Sequence, residues 1–228
     1  MPPRRLRRAP CPRPGMIRKV MLCAFVLLSS LNLSSLPAVA MDRAEVETQF
    51  RDWLEQTVWP QAKAQGVSRS TFEAAFSGVR LNWDLPDLVP PGTEPETPKR
   101  QRQAEFGAPG TYFSPGAVNG AASVGRQMAK RHSVPLSDVE KATGVPGRII
   151  LAIWGRESGY GRAPIPHDAF EVLGTKGFMS TRATWFTEEL VAALRIAEAG
   201  PVSPRNMKSS WAGALGQPQF MPSSFLGY

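Results

Sequence analysis

The sequence predicts an all-α protein. Two helical periods and one unbroken apolar run carry that prediction. Val46, Phe50, Trp53/Leu54 and Val58 recur at i, i+4, i+7/8 and i+12, the spacing of a helix with one apolar face. Between Arg182 and Ala199, Phe186, Leu190, Leu194 and Ala197 form a second such face. Ile149 through Trp154 are apolar at every position, which predicts a buried helix with no solvent-like face. No segment alternates convincingly as a strand, and no internal repeat is visible.

Taken in order, the elements begin with a leader. Residues 1–40 hold seven basic residues and no acid, so 20 of the 27 basic residues are left to face 19 acids. The net charge of +8 therefore falls to +1 from residue 41 onward. The pI of about 10.0 belongs to the leader and gives no case for nucleic-acid binding. A basic region ending at Lys19, an apolar core from Val20 to about Leu33 and small residues at Ala38-Val39-Ala40 predict a secretion signal over residues 1–40, cleaved after Ala40. The apolar core is short of the roughly 20 residues that span a bilayer, so the expected membrane contact is through the signal before cleavage. Met16 is an alternative start to Met1, because Met16-Ile-Arg-Lys is a sufficient basic region. Cys11 and Cys23 both lie in the leader. The expected mature chain has no disulfide, thiol nucleophile or thiolate metal site.

Residues 41–228 are long enough for one domain with a sizeable core. After the first helix, Ser70-Thr-Phe-Glu73 has the form of a capping box opening a second. Residues 84–116 hold prolines at 86, 90, 91, 95, 98, 109 and 115 and predict a long irregular excursion. A helix is expected from about Ala117 to His132, stopped by Pro135, with Ser137-x-x-Glu140 capping the next. Gly144 and Pro146 mark the start of the apolar helix, and Gly159 and Gly161 its end. Gly200-Pro201 close the Arg182–Ala199 helix.

The apolar helix ends on Glu157. Burial and the negative end of the helix dipole both favour a protonated carboxyl, and those conditions suit a glutamate to general acid work. The structural alternative is an ion pair with Arg156 or Arg162. Here the chain resembles a known family. Gly144-Val-Pro, Ala152-Ile-Trp-Gly and Glu157-Ser-Gly-Tyr-Gly161 look like the catalytic segment of the lytic murein transglycosylases of the membrane-bound lytic transglycosylase B type. Ser210-Trp-Ala-Gly-Ala-Leu-Gly-Gln-Pro-Gln-Phe-Met-Pro-Ser-Ser224 is similar to a second signature of that family. Ser209 stands where the family usually has Gly, and Leu215 where it usually has Met. Weaker resemblance extends from about Phe50 to Tyr228.

The resemblance implies a lysozyme-like helical catalytic domain over residues 41–228, exported to the periplasm. In the family, Ser223-Ser224 open a helix that an Asp-rich loop and further helices follow. The chain stops at Tyr228, so a domain incomplete at its C-terminus, with a groove short of one wall, is expected. The implied partner is the glycan strand of peptidoglycan, and the implied reaction is non-hydrolytic cleavage of the MurNAc–GlcNAc bond to a 1,6-anhydro end. One glutamate, Glu157, serves as acid and then as base, with the substrate's own N-acetyl group stabilising the cation at C1. Neither motif supplies the second carboxylate that glycoside cleavage usually needs. Asp168, Glu171, Glu188 and Glu189 are available, and Glu188 and Glu189 read as the polar face of a helix.

By position in the motifs, Ser210 and Gln219 are expected to orient the N-acetyl group. Their alternative role is to satisfy backbone groups in a Gly-rich turn. Gly213, Ala214 and Gly216 are expected to let the backbone approach the sugar. Tyr160, Phe220, Met221 and Tyr228 are candidates for a carbohydrate platform, with the core the favoured reading for Phe220, and Arg182 matches family arginines proposed to meet the peptide stem, its alternative being a solvated helix-end arginine. His132 and His167 are isolated, so no metal site is expected. No phosphate loop, dinucleotide fingerprint or zinc motif is present, and no cofactor is expected. Nothing in the sequence sets an oligomeric state. The competing functions are a hydrolase of the goose-type lysozyme kind and an inactive wall-binding module.

Overall fold

The computed structural model describes residues 42–95, 110, 114–200 and 202–227. The expected signal segment, Cys11, Cys23, the start at Met41, Pro98, Pro109, Pro201 and Tyr228 lie outside the described residues.

Helix α1 (Arg43–Trp53) starts at Asp42, whose carboxylate accepts from the Ala44 amide at 2.9 Å. It buries Val46 and Phe50, the first positions of the apolar period. The chain runs on through a π-helical turn, Leu54–Val58, into α2 (Trp59–Ala64). Pro60 supplies the reason for the turn, since a proline has no N–H to donate back and disturbs the ladder there. Leu54, Val58 and Ala62 stay buried through the change of winding.

Helix α3 (Arg69–Phe76) is capped by Ser68, which accepts from the Thr71 amide at 3.3 Å. The capping box expected at Ser70 is therefore two residues late. Glu73 does not reach back to a backbone amide; it takes Arg69 Nε at 2.8 Å. Arg69 also forks onto Glu55 at 2.7 and 2.8 Å, tying α3 to the π-helical turn. Arg51 donates to the carbonyls of Phe76 and Val79 and so satisfies the C-terminal end of α3. Residues 84–95 are irregular apart from a single bridge between Leu88 and Ser180.

Helices α4 (Pro115–Arg131), α5 (Ser133–Thr143) and α6 (Gly147–Ser158) follow. Pro115 does not belong to the irregular stretch. It opens α4, where a missing amide costs nothing. Pro135 does not stop α4 either: the chain turns at His132, and Pro135 sits in the first turn of α5. Glu140 caps the other helix, accepting from the Gly147 amide at 3.2 Å. Gly144 closes α5 in the left-handed conformation, and Pro146 is the N-cap of α6.

The expectation of a fully buried α6 is corrected. Leu151 is buried, but Ile149 and Ile153 are 45% and 49% exposed. Among the described helices, α6 packs chiefly against α4 and α5, and those two bury no residue of their own. The main core lies elsewhere. It joins α1 to α3 with two further helices, α7 (Ala169–Met179) and α8 (Ala183–Glu198), around Phe50, Phe170, Leu173, Phe186, Leu190 and Leu194. Glu189 of α8 is a second correction. It is not on the polar face; it is 3% exposed, and its carboxylate accepts from the Ser223 amide at 2.8 Å and the Ser223 hydroxyl at 2.6 Å. Two hydrogen bonds make that burial tolerable. They also fix the first turn of the last helix, α9 (Pro222–Gly227).

Two short strands, β1 (His167–Asp168) and β2 (Lys208–Ser209), pair antiparallel with His167 opposite Ser209. At two residues each they are too short to show alternation in the sequence.

Candidate active site

Two segments build the site. The first is the end of α6. Gly159 takes the left-handed conformation (φ 59°) and donates to Gly155 O at 3.1 Å. Tyr160 and Gly161 follow at φ 61° and 79°. Ser158 Oγ accepts from the Gly161 amide at 3.1 Å, and Ala163 N donates to Ser158 O at 2.8 Å. The chain therefore reverses sharply after Glu157. Gly161 has positive φ, which favours glycine, and a β-carbon there would lie 2.6 Å from the Gln217 amide, which would have to move aside. Gln217 in turn accepts from Trp154 Nε1 at 2.7 Å, which ties α6 to the second segment.

The second segment is the loop from Ser210 to Phe220, which leaves β2. Ser210 Oγ accepts from the Ala212 and Ala214 amides at 3.3 and 3.2 Å. Gln219 sits at φ 55° and donates from Nε2 to Gly216 O at 2.8 Å. Both side chains do the turn-building their alternative reading predicts. Both also face the same cleft as Glu157, which has a volume of about 240 Å3. Two accepted bonds leave the Ser210 hydroxyl its proton to donate, and Gln219 keeps its amide oxygen. His167 and Trp211 complete the rim.

Glu157 is exposed, contrary to the burial expected of it. No other carboxylate lines the cleft among the described residues. Asp168 caps α7, accepting from the Phe170 and Glu171 amides. Glu171 accepts from Asn82 Nδ2 at 2.7 Å, Glu189 holds Ser223, and Glu188 is exposed on α8. None of the four candidate partner acids is in the cleft.

Tyr160, Met221 and Arg182 do not line this cleft. The Tyr160 hydroxyl donates to Ala121 O at 3.1 Å, and its ring borders a separate groove of about 530 Å3 between α4 and α6. Met221 packs on the main core. The Arg182 guanidinium sits 4.8 Å from the Trp185 ring and 5.1 Å from the Phe186 ring at the start of α8. Phe220, expected in the core, is 45% exposed. Gly213 approaches the core, where its β-carbon would meet Leu173 at 2.4 Å. Trp211 was not singled out from the sequence, and His167 was noted only as an isolated histidine. Trp211 adjoins Ser210 within the motif, whereas His167 carries no sequence signal and arrives through the β1–β2 pairing. Among the described residues no group of three or more metal-ligating side chains could hold a metal ion.

The fold and the cleft place the chain among lysozyme-like helical domains. Residues 49–228 match the family described as Transglycosylase SLT domain, and the chain belongs to that family. Over 86 residues it is 41% identical to the membrane-bound lytic murein transglycosylase B of Escherichia coli (strain K12), covering 37% of this chain and 24% of that protein. It is also similar to SltB3 from Pseudomonas aeruginosa, solved in complex with NAG-anhNAM-pentapeptide. That likeness has a TM-score of 0.62 at 27% identity and covers 78% of this chain and 45% of the other. The SltB3 complex with NAG-NAM-pentapeptide gives a TM-score of 0.63 at 26% identity, with the same coverage. The chain spans less than half the length of these relatives.

Proposed function

We propose that the protein is a peptidoglycan lytic transglycosylase that cleaves the MurNAc–GlcNAc β-1,4 bond without water. One observation carries the reading: Glu157, Ser210 and Gln219 line one cleft in which no other lining residue is a carboxylate. Of the two ligands with which SltB3 was solved, NAG-NAM-pentapeptide and NAG-anhNAM-pentapeptide, the second carries the anhydro end that this reaction forms.

The Glu157 carboxyl protonates the glycosidic oxygen, and the GlcNAc leaving group departs with that proton. The acetamido oxygen of the MurNAc stabilises the cation at C1. Ser210, donating its hydroxyl proton, and Gln219, through its amide, orient that acetamido group without adding charge. The Glu157 carboxylate then takes the proton from the 6-hydroxyl as its oxygen bonds to C1. The anhydro ring closes and Glu157 returns to its starting state. A single residue acts as acid and then as base, so a second carboxylate has no task.

Residues 41–228 act as the catalytic part, exported by a signal over residues 1–40 to the periplasm, where the glycan is. No helix among the described residues is long and apolar enough to cross a membrane. N-terminal sequencing of the exported protein tests the cleavage: Met41 is the expected first residue. Digestion of purified sacculi tests the reaction. Anhydro-MurNAc ends are expected. Reducing MurNAc ends would make the protein a hydrolase, and absence of any released fragment would make it a binding module.

A further inference from the structure

Lys176 has no part in the chemistry above, yet it is 2% exposed in the middle of α7. Burying a lysine is costly unless its charge is matched, and desolvation indeed lowers its pKa from the ordinary value. The Asp87 charge opposes that shift, and the Arg182 charge adds to it. A leucine or methionine would fill the same space without the penalty. The contacts of the ammonium show what the charge does there. Nζ donates to Pro86 O at 3.0 Å and lies 5.2 Å from the centre of the Phe186 ring. It also lies 5.2 Å from the centre of the Trp211 ring.

Trp211 is the residue that stands out on the cleft side. It adjoins Ser210, lines the cleft with Glu157 and Gln219, and is 47% exposed. A half-exposed tryptophan on a loop has a large, rigid face for the C–H side of a sugar ring, provided that something fixes its rotamer. The cation does so from inside the protein. A desolvated ammonium over an indole is a strong, directional contact.

We infer that Lys176 is a positioning residue for glycan binding, seating the Trp211 indole as a sugar-stacking wall of the Glu157 cleft through a buried cation–π contact. The inference rests on the proposed glycan-cleaving function and adds a specificity element to it. Lys176 itself touches no substrate. Its hold on Pro86 O fixes the ammonium, and the ammonium fixes the ring.

The test is equilibrium binding of soluble, uncrosslinked glycan strands in a Glu157→Gln background, where no turnover interferes. Lys176→Gln keeps a donor for the Pro86 carbonyl but removes the charge. It should weaken binding about three- to thirty-fold, as should Trp211→Ala. The double variant should bind no more weakly than Trp211→Ala alone, because the lysine acts through the indole. Lys176→Arg retains a cation and should recover most of the affinity, and it serves as the second probe if Lys176→Gln melts early. Unchanged affinity in Lys176→Gln, additive losses in the double variant, or an arginine variant as weak as the glutamine one would each overturn the inference. Anhydro products missing from the otherwise wild-type protein, with binding and coupling intact, would overturn the proposed reaction and leave this inference standing. Absence of any glycan binding would overturn both.

Discussion

Replacing Gly213 by alanine should destabilise the protein more than the same change at Gly161, and the difference measures how rigid the neighbours are. Both glycines have positive φ, 88° and 79°. An L-residue there costs roughly 1–2 kcal/mol in strain, and about 0.4–1 kcal/mol is returned by a stiffer unfolded chain. The positions differ in what the new methyl meets. At Gly213 it meets Leu173 Cδ2 at 2.4 Å and Cγ at 3.2 Å, and Leu173 is 0% exposed on α7 with nowhere to move. Overpacking of that kind costs roughly 1–3 kcal/mol. At Gly161 the methyl meets the exposed Gln217 amide at 2.6 Å. That side chain can swing away for the loss of its bond to Trp154 Nε1, a net cost of about 1 kcal/mol. The expected totals are about 2–4 kcal/mol for Gly213→Ala and about 1–2 kcal/mol for Gly161→Ala. Urea unfolding followed by far-ultraviolet circular dichroism reads the difference, and with a slope of about 2 kcal/mol per molar the Gly213 variant should lose about 1–2 M in midpoint. A Gly213→Ala midpoint equal to or above that of Gly161→Ala would refute the reasoning, because the strain is common to both and only the packing separates them.

Glu157→Gln should leave the fold intact and reduce release of anhydro-muropeptides from sacculi by at least about a hundredfold, since the amide has no proton to deliver; a wild-type rate would put the acid elsewhere. Ser209→Ala should raise stability by about 1 kcal/mol. Ser209 Oγ is buried with no hydrogen-bond partner among the described residues, and a lower melting temperature would mean that the hydroxyl is satisfied after all. Acid should destabilise the protein through two carboxyls. The hydrogen bond from Arg69 holds Glu55 below its ordinary value of 4.5, and Thr71 and Ser68 do the same for Glu198. Depressed folded-state values mean that this stability is full above about 4.5 and is lost as pH falls through the folded values. Urea midpoints at pH 6 and pH 3 should therefore converge in a Glu55→Gln, Glu198→Gln double variant; an unchanged pH slope would count against the assignment.

The helical class, the period of α1 and the bounds of α8 were legible in the sequence because each depends on local spacing and on turn residues. The two motifs were legible for the same reason: Glu157 ends a helix at a glycine reversal, and Ser210 to Gln219 build their own turns. Short-range rules gave less where partners come from afar. Ser68, not Ser70, caps α3, and Glu140 serves α6 in place of α5, because a capping side chain takes whichever amide the fold brings near.

Tertiary structure alone decided burial. Apolar composition made α6 look enclosed, but its chief helix neighbours, α4 and α5, leave Ile149, Ile153 and Glu157 exposed. Glu189 looked solvated by its place in a charged pair, but α9 covers it with Ser223. The cleft itself is a tertiary object. His167 reaches it through a two-residue strand pairing, and Trp211 is held at its rim by a lysine thirty-five positions earlier in the chain. Periodicity reports which side of an element is apolar. What covers that side depends on contacts between residues distant in sequence, and those form only when the chain packs.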